Sequence, residues 1–412
     1  MTVTDDAQSV TPGLLTPGVG QASLRDQNLS VVTMLAYAAP EPVSRAAIAA
    51  GSGLTRSTVS RLVDELLAGG LLEELPPQIA GRGRPATPLV PARGTIAGLG
   101  LEVSPSYLGA RLVDLSGAVL AERVVPAHLE ASDPDAVLGR LVHLARDILA
   151  SSDGRWRVLA GARLAVPGLV DSEGRVLRTP NLGWPEVLPA ERLRLPAVPG
   201  GTELAPVGVG NEADLAALAH ALDAPGRPAG SGTFFYVSAD IGVGGTSVVD
   251  GVPVRGRHGW AGEVGHTLVD PAGPPCTCGA VGCLEQYAGR DALLAGAGLG
   301  PDASAEELAA AAAEPGPARD AVDRAGRALG AALANVVNLL DVDDLVLGGQ
   351  FIPLLPALRP ALEDELGRRV LAAPWLDVTI RPGLSGEPAL TGAALAVLGD
   401  VVAAPYDWLP GA

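Results

Sequence analysis

One histidine and three cysteines hold the densest chemistry in this 412-residue chain: His266, Cys276, Cys278 and Cys283. One imidazole and three thiolates form the ligand set of a closed, tetrahedral structural zinc site. Gly279 and Gly282 let the chain turn tightly enough for three nearby sulfurs to converge. The bland alternative is three buried thiols and an unrelated histidine. With no other cysteine in the chain, chance clustering explains the pattern poorly. Four side chains leave no coordination position open, so Zn2+ is expected as a structural cofactor, not a catalytic one.

A second constellation lies near the N-terminus. Val59, Leu62, Val63, Leu66 and Leu67 follow the spacing of a buried helical stripe, with Thr55 placed to cap its start. Arg56, Ser57, Thr58, Ser60 and Arg61 project from the other side. Ahead of it, Val32, Leu35 and Ala36 share one helical face that stops near Pro40. A second short helix can start at Ser44 and end at the Gly51-Ser52-Gly53 turn. Two helices joined by a glycine turn, the second opened by small polar and arginine side chains, are how a helix-turn-helix reads a major groove. Leu71–Leu75 and Pro88–Val90 suit short strands, and Arg82 and Arg84 lie in a glycine-flexed loop between them. Such a wing can place guanidinium groups in a narrow minor groove or on phosphates. The partner this implies is a double-stranded DNA operator.

Composition sets the frame for these two sites. The net charge of −17 argues against a protein that coats nucleic acid non-specifically. Residues 1–94 nevertheless carry seven arginines against eight acidic residues, so most of the acidity lies downstream. All basic chain positions other than histidine are arginine. The first ten residues lack the basic start and apolar run of a signal peptide, and no uncharged apolar stretch reaches about 18 residues. A cytoplasmic protein without a membrane partner is expected.

Residues 1–27 read as a disordered tail and 28–94 as a winged helix-turn-helix domain. Beyond them, short apolar runs alternate with alanine-rich helical stretches. Ile96–Leu101, Ala110–Leu115, Leu159–Val166, Thr233–Ser238 and Asp344–Leu347 read as strands; Leu138–Leu149, Ala213–Leu222 and Arg319–Leu340 read as helices. That alternation predicts an α/β architecture. Asp223–Gly232, rich in Pro and Gly, reads as a surface loop.

Gly262-Glu263-Val264-Gly265-His266, followed by Cys276-Thr277-Cys278-Gly279-Ala280-Val281-Gly282-Cys283-Leu284-Glu285, resembles the signature of the ROK family of repressors and sugar kinases. Val166–Asp171, Thr179–Trp184, Leu347-Gly348-Gly349 and Thr391–Ala394 agree with it. The resemblance covers residues 95–402, leaving 403–412 as a C-terminal tail. With the winged helix ahead of it, the chain is similar to the family's xylose-repressor-like branch. The resemblance implies a two-lobed, actin-like (ribonuclease H-like) domain with a sugar in the cleft between the lobes. It implies that Glu263, His266 and Glu285 hold sugar hydroxyls, with Asn211 and Glu212 opposite, and that His266 also ligates the metal.

Two departures from the family's kinases separate binding from catalysis. Those kinases open with an Asp-x-Gly-Gly-Thr turn whose amides approach nucleotide phosphates; this chain has Glu102-Val103-Ser104-Pro105-Ser106 there. Side chains crowd such a cradle, and Pro105 has no N–H to donate. The kinases' Asn-Asp pair is Asn211-Glu212 here, one methylene longer at the base, and a misplacement of about 1 Å can cost on the order of 100-fold in rate. No enzyme activity is expected. The expected function is a sugar-responsive transcriptional regulator, a repressor released by a small sugar effector and acting as a homodimer or homotetramer. The alternative is an ATP-dependent sugar kinase carrying a DNA-binding module.

Overall fold

The computed structural model describes residues 21–77, 87–152, 154–197, 204–230 and 232–410. The N-terminal head is built from α1 (Gln21–Ala38), α2 (Arg45–Ser52) and α3 (Arg56–Ala68), followed by the antiparallel pair β1 (Leu72–Glu74) and β2 (Leu89–Pro91). Ser44 accepts a hydrogen bond from the Ala47 N–H and Thr55 from the Thr58 N–H, so both expected caps form. Gly53 closes α2 at φ +70°, a conformation that favours glycine and sets the turn between the two helices. Helix α1 begins at Gln21, inside the expected tail, because Arg25 pairs with Glu65 of α3 and Leu29 is fully buried. Residues 1–20 and the wing loop with Arg82 and Arg84 lie outside the described residues.

Two lobes follow, and they share one topology. Lobe I holds β3 (Ile96–Ser104), β4 (Tyr107–Asp114), β5 (Val119–Pro126), α4 (Pro134–Ser151), β6 (Val158–Val166), the small pair β7 (Leu169–Val170) and β8 (Val176–Arg178), and β9 (Val207–Asn211). Its sheet order is β5-β4-β3-β6-β9, antiparallel through the first three strands and parallel through the last three. Helix α5 (Glu212–Ala221) leads out of it to β10 (Leu222–Ala224) and β11 (Arg227–Pro228). Those two strands pair within the expected loop, where Pro225-Gly226 supplies the turn.

Lobe II repeats the plan with β12 (Phe234–Ala239), β13 (Val243–Val249), β14 (Val252–Pro253), α6 (Glu285–Ala288), α7 (Arg290–Ala297), α8 (Ala305–Ala311), α9 (Pro317–Leu340), β15 (Asp344–Gly349), α10 (Phe351–Arg369) and β16 (Thr379–Pro382). Its order, β14-β13-β12-β15-β16, matches lobe I strand for strand. This is the expected duplicated α/β, actin-like domain. The hairpin turn between β3 and β4 therefore has its counterpart between β12 and β13, and the two turns meet across the cleft.

The last helix, α11 (Pro388–Ala403), crosses back under lobe I. Gly98 and Gly100 of β3 let it pack closely: a Cβ on Gly100 would lie 2.0 Å from the Leu390 carbonyl oxygen. Gly392 gives α5 the same close approach, since a Cβ there would lie 1.7 Å from the Leu215 carbonyl oxygen. At its far end Val401 and Val402 join Leu29, Tyr37 and Leu62 in a single apolar cluster. The expected tail 403–412 is packed as far as it is described. Pro405–Trp408 forms a 3-10 turn, and Leu409 is buried against the head, because the aromatic and apolar side chains of this segment complete that cluster. Head and lobe I thus share a core, with α11 running through it.

Candidate functional site

The His/Cys cluster forms on a tight loop of lobe II. His266 ends a 3-10 turn, Val264–His266, and the chain returns through bridges between Leu268 and Cys283 and between Pro275 and Val281. Gly282 sits at φ +70°, where a Cβ would collide with the Asp270 carbonyl oxygen at 1.7 Å. The ligand atoms of His266, Cys276, Cys278 and Cys283 all lie within 4.8 Å of one another. Cys276 Sγ is 3.8 Å from His266 Nδ1, and Cys278 Sγ is 3.7 Å from Cys283 Sγ. Tetrahedral ligation with metal–sulfur bonds of ~2.3 Å sets sulfur–sulfur separations near ~3.8 Å, so this donor set can hold a metal ion. His266 turns Nδ1 toward Cys276 Sγ and also lines the cavity between the lobes.

A cavity of about 190 Å³ opens beside the cluster, between the lobes. It brings together all five expected sugar ligands: Asn211, Glu212, Glu263, His266 and Glu285. Their freedom differs. Asn211 caps α5 through Oδ1, which accepts from the Ala213 and Asp214 N–H groups, while its Nδ2 donates to the Gly168 carbonyl at 3.0 Å. Its amide is therefore largely committed to holding the cleft floor. Glu285 Oε2 accepts from the Val243 N–H at 3.2 Å, tying one oxygen to the start of β13. The Glu263 carboxyl is raised above its ordinary pKa by burial first; His266 opposes the shift, and Asp214 and Glu285 add to it. Burial and the nearby Asp240 push Glu212 up to about 8. Such carboxyls can both donate to and accept from hydroxyl groups.

The opposite wall holds groups that sequence reasoning named only as departures. Glu102 is 1 % exposed in an otherwise apolar strand; that lone charge in a buried run was the available signal. Tyr107 O–H donates to its Oε1 at 2.6 Å, while Oε2 has no partner among the described residues. Burial first, then the charge of Glu212, hold its carboxyl well above the ordinary range. The hydroxyls of Ser104 and Ser106 donate to Asp240 Oδ2 at 3.2 and 3.3 Å, joining the β3–β4 turn to the β12–β13 turn. Arg178, also unforeseen, lines the cavity and donates to the Cys278 carbonyl across the lobes at 3.3 Å.

On the head, Arg56, Ser57 and Arg61 are exposed, and Thr58 and Ser60 are half-buried. The hydroxyls of Ser57 and Thr58 lie 3.0 and 2.9 Å from Thr55 Oγ1 at the start of α3. Arg61 pairs with Glu65 at 2.9 Å, a contact it must release to reach a ligand. Among the described residues no helix is long and apolar enough to cross a membrane.

Comparison with known proteins agrees with both halves. The ROK family model matches residues 99–399, and the IclR helix-turn-helix domain model matches residues 31–76. The xylose repressor of Bacillus subtilis is 26% identical over 350 residues, covering 84% of this chain and 88% of that protein. A crystal structure of a ROK family transcriptional regulator, a homologue of the Escherichia coli MLC protein, aligns with a TM-score of 0.74 and 27% identity. It covers 92% of this chain and 97% of its own. A ROK family glucokinase from Streptomyces griseus, in complex with glucose and AMPPNP, aligns at 0.58 and 25% identity, covering 72% of this chain and 98% of its own. The regulator spans head and lobes, whereas the kinase matches a smaller share of the chain. The chain belongs to the ROK family.

Proposed function

We propose that this protein is a sugar-responsive transcriptional repressor. Its head binds a double-stranded DNA operator, and a small sugar in the interlobe cleft releases it. The observation that carries the reading is the shared core: the helix-turn-helix and the cleft are built onto the same helix, α11. Glu263, His266 and Glu285 would grip the sugar from lobe II, and Asn211 and Glu212 from the other side, so closure of the cleft turns one lobe against the other. A ligand shifts a conformational equilibrium by its difference in affinity for the two states, and a cleft between lobes supplies such a difference. A structural Zn2+ on His266, Cys276, Cys278 and Cys283 would fix the His266 ring toward the sugar. The head is expected to act in pairs, in a cytoplasmic homodimer or homotetramer.

Catalysis is not part of this reading. By the family resemblance the β3–β4 turn is where a kinase's amides would approach nucleotide phosphates, and here its Ser104 and Ser106 hydroxyls donate to Asp240 instead. No sugar-dependent ATP hydrolysis is expected, and turnover at an ordinary kinase rate of about 1–100 per second would favour the kinase reading instead. For DNA, Arg56 and Arg61 should set sequence choice, each base contact contributing about 1–3 kcal/mol of discrimination. Arg82 and Arg84 should add affinity and a preference for A·T-rich flanks. A binding-site selection with the Arg56→Ala, Arg61→Ala double variant tests this. Loss of selectivity is expected; unchanged operator binding and selectivity would reject α3 as the reading helix.

A further inference from the structure

The same cleft carries information about the charge of its ligand. Four carboxyl side chains line it, Glu212, Asp240, Glu263 and Glu285, against a single arginine, Arg178. The chain contains no lysine that could reach in. Three donors beside the Glu212–Asp240 end are already taken by the protein's own carboxylates. The Val243 N–H at the start of β13 donates to Glu285, and the hydroxyls of Ser104 and Ser106 donate to Asp240. Pro105, between those serines, has no N–H. Glu102 lies behind them, fully buried, with one carboxylate oxygen unpartnered among the described residues. Arg178 is held on the opposite side, against the Cys278 carbonyl of the cluster loop.

An anionic substituent at the Glu212–Asp240 end would meet the Asp240 carboxylate with the Ser104 and Ser106 hydroxyls already donated to it, and like-charge juxtaposition in a desolvated site weakens binding. An uncharged hydroxyl meets the reverse situation. The carboxyl groups that line the cleft accept from its O–H without meeting a charge of like sign. We infer that the effector is an uncharged sugar, and that the cleft rejects the phosphate ester of that sugar at the Glu212–Asp240 end. This rests on the sugar-cleft reading above and adds the charge class of the ligand to it.

Isothermal titration of the full-length protein with a panel of pentoses, hexoses and N-acetylhexosamines identifies a sugar that binds. The same titration is then run with its terminal phosphate ester and its terminal O-methyl ether. The ester is expected to bind at least about 100-fold more weakly than the free sugar. The neutral ether separates charge from bulk and is expected to bind within about tenfold of the free sugar. Asp240→Asn, which removes one negative charge and keeps an acceptor oxygen for the serines, should narrow the gap between sugar and ester. An ester that binds as tightly as its sugar overturns the inference while leaving the sugar cleft standing, and so does an ether rejected as strongly as the ester. If no sugar of the panel and no ester binds, the sugar-cleft reading itself falls, and this inference falls with it.

Discussion

The two walls of the cleft start from equivalent hairpins and end with opposite chemistry. On lobe II, Glu263 and His266 reach the cavity with capacity to spare, braced from behind by the cysteine loop. Across from them, the β3–β4 turn commits its polar groups to neighbours: Tyr107 to Glu102 within lobe I, and Ser104 and Ser106 to Asp240 of lobe II. Both walls hold carboxyls that neighbours engage, Glu102 by Tyr107 on lobe I and Glu285 by Val243 on lobe II, but the lobe II wall also presents Glu263 and His266 to the cavity. Duplicated topology therefore fixes where a site lies, while a few side chains on the paired turns decide whether it is still a site.

The comparison breaks most readily at the cysteine loop. Cys278→Ser removes one of four candidate metal ligands and should lower both metal content and stability, by several kcal/mol if the metal is structural. Metal analysis alongside thermal melting checks this, and metal-free protein with unaltered melting would remove the brace from the account.

The next effect lies on the other side. Glu212 has its carboxyl raised from 4.5 to about 8. The folded state keeps a proton that the unfolded chain releases, so this group's contribution is complete below about pH 4.5 and is lost as pH rises through about 8. Wild-type protein should lose stability relative to Glu212→Gln between pH 5 and pH 8, on the order of a few kcal/mol. Denaturant midpoints at both pH values measure it; parallel curves would show that Glu212 is not held protonated.

Smallest is the seam between the turns. Ser104→Ala deletes one of two hydroxyls on Asp240 and should cost about 0.5–1.5 kcal/mol in stability without affecting metal content. A loss of metal in that variant would mean that the two walls are not independent.

Much of this was legible in the residues. The cysteine spacing announced the cluster, and the stripe from Val59 to Leu67 announced α3. Strands β3, β4, β6, β12 and β15 fell close to the apolar runs, while β5, β9, β13, β14 and β16 were not marked by them. What escaped has physical reasons. Helix α11 is apolar on nearly every face because β3, β6, α5 and the head surround it, so it shows no amphipathic period. Helix α10 carries Pro356 and Pro360 in its interior, which ordinarily end a helix. The packing of Tyr406, Trp408 and Leu409 against the head depends on a chain end meeting residues more than 300 positions away, which no local pattern encodes. Arg178 entered the cleft by topology alone.

The claim beneath all of this is that cleft and head are coupled through the body of the protein. Titrating a sugar that binds the free protein into a complex with its operator tests it directly. The account predicts that operator affinity falls by roughly 5–150-fold, that operator weakens sugar binding by the same factor, and that Glu263→Ala loses the response while keeping its sugar-free operator affinity. An operator affinity that stays constant while the cleft fills with sugar would contradict it.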